Sequence, residues 1–278
     1  MVTEPGGGTP ALPVGLETIR SLAAHLRALG VEPGMTLMVH SSLSSLGFVV
    51  GGAAAVILAL EHVLGDTGTL AMPAHVYDLT DPAAWLDPIV PEAWHEAVRA
   101  AMPVFQPDLM PCREMGAIAE TFRKQDGTLR SYHPFVSWSA RGPHAARITA
   151  NHHLSMSQGE GSPLARLYDL GAHVLLLGVG WNRNTTFHLA EYRCRFAKTK
   201  RCTRGAPMPA EGGGAVWTTY DDIYWYDADF PELGVALEGA DLVRCGTVGK
   251  AHCRLFSQRA AVDFAVDWMN RHRTLGAG

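Results

Sequence analysis

The stretch from Thr36 to Met72 constrains this chain most. A short apolar run ends at His40, and a loop rich in hydroxyls and glycine follows (SSLSSLGFVVGG, 41–52). Ala53 to Leu64 has helical character, and Thr69 to Met72 is a second short apolar run. Strand, loop, helix and strand within about 35 residues make a βαβ unit. Strands joined by a helical crossover run parallel. We therefore expect an α/β protein with a mixed, partly parallel central sheet flanked by helices.

The 278 residues suffice for one large domain or two small ones. No internal repeat and no linker divides them, so 15–272 is read as a single domain. Residues 1–14, rich in Gly and Pro, are read as a disordered leader. Apolar spacing predicts helices over Leu16–Leu29 (stopped by Gly30), Glu92–Ala101, Gly116–Lys124, His144–His152, Pro163–Leu170 and Ser257–Asn270. Further strands are expected at Val136–Ala140, Val174–Leu177, Trp217–Thr219, Val243–Val248 and His252–Phe256, with Leu129–Pro134 a turn and Gly212–Gly214 a hairpin turn. Ala74 to Met110, crowded with Pro and Trp, reads as a binding loop or lid.

Several function classes drop out. A net charge of −4 lacks the clustered basic face of a nucleic-acid binder, while leaving room for a cationic substrate. No apolar run approaches the roughly 20 residues of a membrane span, and the N-terminus lacks the basic and apolar regions of a secretory signal. Five scattered cysteines (Cys112, Cys194, Cys202, Cys245, Cys253) form no CxxC pair. They read as reduced thiols in a cytoplasmic protein.

Chemistry concentrates in VLLLGVGWNRNTTFHLAE (174–191). A buried strand is broken by Gly178 and Gly180, and the helix that follows opens with His188 and, three residues on, Glu191. Residues three apart share a helix face, so imidazole and carboxylate meet beside the carboxyl end of a strand, where open α/β sheets bind ligands. Gly178-Val-Gly180 lacks the third glycine of a dinucleotide fingerprint, since Arg183 stands there. The loop Ser41–Gly52 can approach a narrow ligand with its backbone, but no lysine follows to make it a P-loop. Thirteen histidines, His40 and His75 at strand ends among them, lie outside any HExxH or CxxC frame, so no metal is assigned. Ser41 or Ser42 could stand near His188, but no GxSxG elbow frames either.

Taken together and in order, LMVHSSLSSLGFVVGG (37–52), GTLAMPAH (68–75), DPAAWLDPIVPEAW (81–94), MGAIAETFR (115–123), LRSYHPFVSWSARG (129–142), GEGSPLARLYDL (159–170) and LLLGVGWNRNTTFHLAEYR (175–193) resemble the aminoglycoside 3-N-acetyltransferases, the antibiotic N-acetyltransferase family distinct from the GNAT fold. The resemblance runs over residues 15 to 270. It implies transfer of acetyl from acetyl-CoA to the 3-amine of an aminoglycoside, conferring resistance, without a metal. It pairs His188 as base with Glu191 as its orienter. It implies that His40, Ser41, Ser42, Leu43, Ser45, Leu46 and Gly47 hold the pantetheine arm and that Thr185 sits beside the thioester. Ser131 and His133 would support the CoA side of the cleft. Backbone amides near Ser41 or Thr185 would stabilise the oxyanion. A polycationic acceptor needs an acidic pocket, for which Tyr77, Asp78, Asp81, Asp221 and Asp222 are the candidates. A homodimer stays open as an assembly. The rival readings are a serine- or metal-dependent amidohydrolase and a non-catalytic CoA- or sugar-binding relative.

Overall fold

The computed structural model describes Pro13, residues 15–198 and residues 200–273. The expected leader therefore lies outside the described residues, Pro13 apart. In chain order the strands are β1 (Leu16–Glu17), β2 (Thr36–Ser41), β3 (Phe48–Val49), β4 (Thr69–Pro73), β5 (Leu129–Arg130), β6 (Trp138–Arg141), β7 (His173–Leu177), β8 (Arg201–Pro209), β9 (Ala215–Ile223), β10 (Val243–Val248) and β11 (Ala251–Ser257). The α-helices are α1 (Ile19–Leu29), α2 (Gly52–Leu64), α3 (His95–Ala101), α4 (Gly116–Arg123), α5 (Ala145–Thr149), α6 (Pro163–Asp169), α7 (Thr186–Arg193), α8 (Phe230–Gly239) and α9 (Gln258–His272).

Seven strands form the central sheet in the order β10-β11-β7-β2-β4-β6-β5. The middle three, β7, β2 and β4, are mutually parallel. Antiparallel pairs close both edges, β11 and β10 on one side and β6 and β5 on the other. The sheet is mixed, as the sequence predicts. The apolar runs of β2 and β7 are continuous because both faces are covered. Leu37, Val39, Leu175 and Leu177 face a core built with α1, α2 and α4. Met38, Val174 and Leu176 face the opposite core, which contains Trp138, Phe187, Phe230 and Trp268.

This alternation positions the site. The connection leaving β2 enters α2 in the first core, whereas the connection leaving β7 enters α7 in the second. Adjacent parallel strands whose crossovers depart to opposite faces leave a crevice between their carboxyl ends.

One expectation changes, and two elements appear that were not anticipated. Leu129–Arg130 pairs with β6 as a short edge strand instead of turning. The polar, basic stretch after Lys200 forms β8, paired along its length with β9 around the glycines Gly212–Gly214. Helix α8, with Phe230, Leu233 and Leu237 buried, was not expected. The Ala74–Met110 segment is tied down at its ends. Arg130 donates to the carbonyls of Ala74 (2.6 Å), Pro107 (2.7 Å) and Met110 (2.6 Å), and Val76, Leu79 and Phe105 make a small core of their own.

The loops after β2 and β7 touch at Gly178, whose φ of +71° suits glycine. A Cβ there would lie 1.9 Å from Ser45 Oγ and 2.9 Å from Ala251 Cβ. Gly178→Ala is expected to destabilise the fold by about 1–3 kcal/mol, read as a lower urea midpoint.

Candidate active site

A cleft of about 950 Å³ opens at the carboxyl ends of β2, β4 and β7. Its walls come from His40–Ser44 at the end of β2 and just beyond it, His75 and Tyr77 after β4, the start of α4, the Gly178–Thr185 connection, and Trp225 and Asp227 before α8. His188, in the first turn of α7, also lines it. Helix α7 is fastened by Phe187, Leu189 and Ala190, all fully buried, so its polar face is fixed by the packing of its apolar one.

On that face His188 Nδ1 lies 2.6 Å from Glu191 Oε2. The second oxygen, Oε1, accepts the backbone N–H of Tyr226 (2.9 Å) and Nη1 of Arg273 (2.7 Å). Arg273 also grips Asp229 with two bonds of 2.8 and 2.7 Å and donates to the Tyr226 carbonyl at 2.7 Å. Glu191 is fully buried. A carboxylate held by a guanidinium is an acceptor only, so Nδ1 donates to it and the neutral ring keeps its lone pair on Nε2. The imidazole is walled by Trp225 and Phe230, each with its ring centroid 5.1 Å away. The arrangement can take up one proton at Nε2 and stabilise the resulting charge.

Beside it, His40 and His75 stand edge-on to the Trp138 indole at 6.3 and 6.0 Å. Burial, with the neighbouring His188 second, pulls the pKa of each from 6.5 down to about 3. Both are neutral near pH 7. Their Nε2 atoms, Oε1 of Gln158 and both polar atoms of the Asn184 carboxamide are buried without a hydrogen-bond partner among the described residues. All four side chains line the cleft.

The sequence-predicted residues divide. His188, Glu191, His40, Ser41, Ser42, Leu43, Thr185 and Tyr77 come together here, all but Glu191 lining the cleft and that acid lying directly behind His188. Ser45, Leu46 and Gly47 pack behind the loop, with Ser45 Oγ donating to the Ser42 carbonyl (2.8 Å). Ser131 and His133 are buried outside the cleft walls. Ser131 Oγ accepts the Trp138 N–H (2.9 Å), and His133 Nδ1 accepts those of Phe135 (3.1 Å) and Val136 (3.0 Å). Asp78 pairs with Arg113 (2.9 Å), and Asp81 caps Ala83 and pairs with Arg99 (2.8 Å). Asp221 is exposed on β9, and Asp222 is fully buried with its carboxylate engaged. None of these four aspartates lines the cleft.

The carboxylates that do are Glu114, at a left-handed φ of +59°, and Asp227. Neither they nor Asn184, Gln158, Trp225 and Arg273 stood out in the sequence. The signal for Asn184 was its place directly ahead of the His188 helix; Arg273 gave none. Neither Ser41 nor Ser42 hydrogen-bonds His188 among the described residues; Ser42 Oγ faces Ser44 Oγ at 3.2 Å. Among the described residues no group of three His, Cys, Asp or Glu could hold a metal, and no helix is long and apolar enough to cross a membrane.

The family model for aminoglycoside 3-N-acetyltransferase matches residues 38–270. The SPbeta prophage-derived aminoglycoside N(3')-acetyltransferase-like protein YokD of Bacillus subtilis (strain 168) is 44% identical over 252 residues, 90% of this chain and 92% of that protein. Its crystal structure superposes with a TM-score of 0.89 at 42% identity, covering 94% of this chain and 95% of that one. Aminoglycoside N(3)-acetyltransferase VII of Streptomyces paromomycinus is 36% identical over 267 residues, 89% of this chain and 90% of the relative. Two liganded structures also match. AAC-IIIb in a binary complex with CoASH has a TM-score of 0.80 at 31% identity, covering 92% and 97% of the two chains. AAC-VIa bound to sisomicin has 0.82 at 30%, covering 93% and 99%.

Two outcomes follow from this geometry. Removing the guanidinium leaves a buried carboxylate short of its counter-charge, so Arg273→Met should lower stability by about 3–5 kcal/mol and reduce turnover, measured by urea unfolding and steady-state rates. Secondly, the depressed pKa values of His40, His75 and His133 (the last at about 4, chiefly from burial) mean that the folded protein binds fewer protons than the unfolded chain below pH 6.5. Stability should therefore be flat above about pH 7 and fall toward pH 4, by about 2 kcal/mol per histidine at pH 5; a Tm series over that range reads it.

Proposed function

This chain belongs to the aminoglycoside 3-N-acetyltransferase family, an acyltransferase family, and we propose that it carries acetyl from acetyl-CoA to the 3-amine of an aminoglycoside by direct attack, with His188 as general base. The observation that carries this reading is the 2.6 Å bond from His188 Nδ1 to a buried, arginine-held Glu191. It leaves Nε2 as the ring's acceptor atom in a cleft of about 950 Å³, which supports the base role.

An ammonium has no lone pair, so the acceptor reacts as its free amine. The nitrogen attacks the thioester carbonyl, and the proton it sheds moves to Nε2. The imidazolium so formed is stabilised by Glu191. As the carbon–nitrogen bond is completed the carbon–sulfur bond breaks, and the proton on Nε2 passes to the departing thiolate. General-base transfer of this kind contributes typically 10²–10⁴-fold.

Two sets of lining residues suit the two partners. The Ser41–Ser44 loop and Thr185 present small and hydroxylated groups to a narrow chain, consistent with the pantetheine arm of a cosubstrate whose product form is seen bound in AAC-IIIb. Glu114, Asp227 and Tyr77 offer charge and a ring face to a polyamine of the kind bound by AAC-VIa. We assign the attraction of the polycation to Glu114 and Asp227, because Asp78, Asp81 and Asp222 are already paired with arginines.

A thiol-release assay with acetyl-CoA and a panel of aminoglycosides tests the reading; no release with any acceptor would overturn it. His188→Ala is expected to lower turnover by about 10²-fold or more, and undiminished turnover in that variant would remove the base assignment.

A further inference from the structure

Asp222 has a carboxylate buried outside the cleft, yet three hydrogen bonds and one arginine charge converge on it. Ser157 Oγ donates to Oδ2 at 2.6 Å, and Arg204 Nε from the paired strand β8 lies 3.2 Å from the same oxygen. Oδ1 accepts the phenol of Tyr192 at 2.5 Å and the N–H of Ile223 at 2.9 Å. Burying an ion this way brings little net stability. What the bonds do is connect two parts of the cleft wall.

One arm runs through Ser157. That residue is held by Asp222 and, at its carbonyl, by Nε2–H of His152 at 2.7 Å. The preceding Met156, at a left-handed φ of +53°, donates its N–H to the Asp221 carbonyl at 2.9 Å. This turn delivers the next residue, Gln158, into the cleft with Oε1 buried and unpartnered. The other arm runs through Tyr192, one position after Glu191 and four after His188 on α7. Its phenol oxygen accepts the indole N–H of Trp225 at 2.8 Å. Trp225 is further pinned by the Arg204 guanidinium, 4.4 Å above its ring, and by Phe135 stacked at 5.4 Å. The indole so held lies 5.1 Å from the imidazole of His188.

We propose that Asp222 is a positioning residue for acceptor binding: through Ser157 it presents Gln158, and through Tyr192 it fixes Trp225, as two walls of the cleft around His188. The carboxamide of Gln158 then takes a hydroxyl or ammonium hydrogen of the acceptor, and the indole limits both the imidazole and the sugar ring that reaches it. A carboxylate is required because only an ionised group offers acceptors alone on both oxygens. An asparagine in its place sets an NH2 group against the Ile223 N–H or the Arg204 guanidinium, neither of which can accept, and the anchor shared by the two arms is weakened. The inference rests on the reading of His188 as the base.

Asp222→Asn, Ser157→Ala and Tyr192→Phe test it in the full chain. Asp222→Asn is expected to raise the acceptor KM about ten-fold, the effect of one lost hydrogen bond in a buried site, with the KM for acetyl-CoA unchanged. Ser157→Ala should reproduce the KM effect while leaving Trp225 in place. Tyr192→Phe should shift and broaden the ¹⁹F resonance of 5-fluorotryptophan at position 225, assigned with Trp225→Phe, and lower kcat. Wild-type acceptor kinetics in these variants, or equal rises in both KM values, overturns the proposal. Should Asp222→Asn not fold, the other two variants decide. His188→Ala separates the two readings: undiminished turnover there strikes the base assignment, while the KM split and the ¹⁹F signal still judge the walls.

Discussion

Everything at the site depends on one buried carboxylate. Glu191 is wholly removed from water, and an isolated charge there would cost several kcal/mol in lost hydration. It is compensated by three donors from three parts of the chain: an imidazole on its own helix, a backbone amide at Tyr226 and the guanidinium of Arg273. Arg273 in turn holds Asp229 at the start of α8. The end of α9, the 226–229 loop and α7 therefore share one cluster of charge, and none can shift without stranding another. Such a cluster is weak evidence for stability. It is strong evidence for a defined geometry, because the two-pronged Arg273–Asp229 contact and the 2.6 Å Nδ1–Oε2 bond tolerate little displacement.

The place of that cluster follows from sheet topology. With β7 and β2 parallel and adjacent, and their outgoing connections on opposite faces, the carboxyl ends of both strands stay uncovered. The β2 end provides a loop of small residues, and the β7 end provides the helix carrying His188. Gly178 lets these two loops touch, since any side chain there would meet Ser45. On the proposed mechanism a narrow chain along the first loop is thereby brought against the second, the juxtaposition that acetyl transfer requires.

Local pattern showed some of this in advance and long-range pairing did not. The βαβ unit was legible because apolar periodicity is local, as was the His188–Glu191 pair, because three residues on a helix is a fixed distance. Strand β8 was hidden by its composition. It belongs to a two-stranded ribbon whose outer half is largely exposed, so its residues carry no apolar run. Arg273 lies 82 residues from Glu191 in sequence, and no spacing rule reaches that far. The aspartates were misleading for a related reason. An acidic side chain in a loop or strand looks alike whether it meets solvent, as Asp221 does, an arginine, as Asp78 does, or a buried phenol, as Asp222 does. What separates them is the identity of a distant partner.

The neutral histidines bear on how one cleft can serve both a polycation and a proton acceptor. Were His40 and His75 charged at neutral pH, they would repel an incoming ammonium and oppose the imidazolium that His188 becomes on the proposed mechanism. Burial against Trp138 removes that conflict by drawing both pKa values to about 3. The same burial leaves their Nε2 atoms without hydrogen-bond partners among the described residues, in the cleft that His188 lines. Uncharged imidazoles can still donate or accept hydrogen bonds there while the field over the cleft is left to Glu114, Asp227 and the single positive side chain among its lining residues, Arg183. On the proposed mechanism the site attracts charge with carboxylates on its walls and keeps its buried imidazoles neutral, so that the positive charge gained during turnover falls on the ring backed by Glu191.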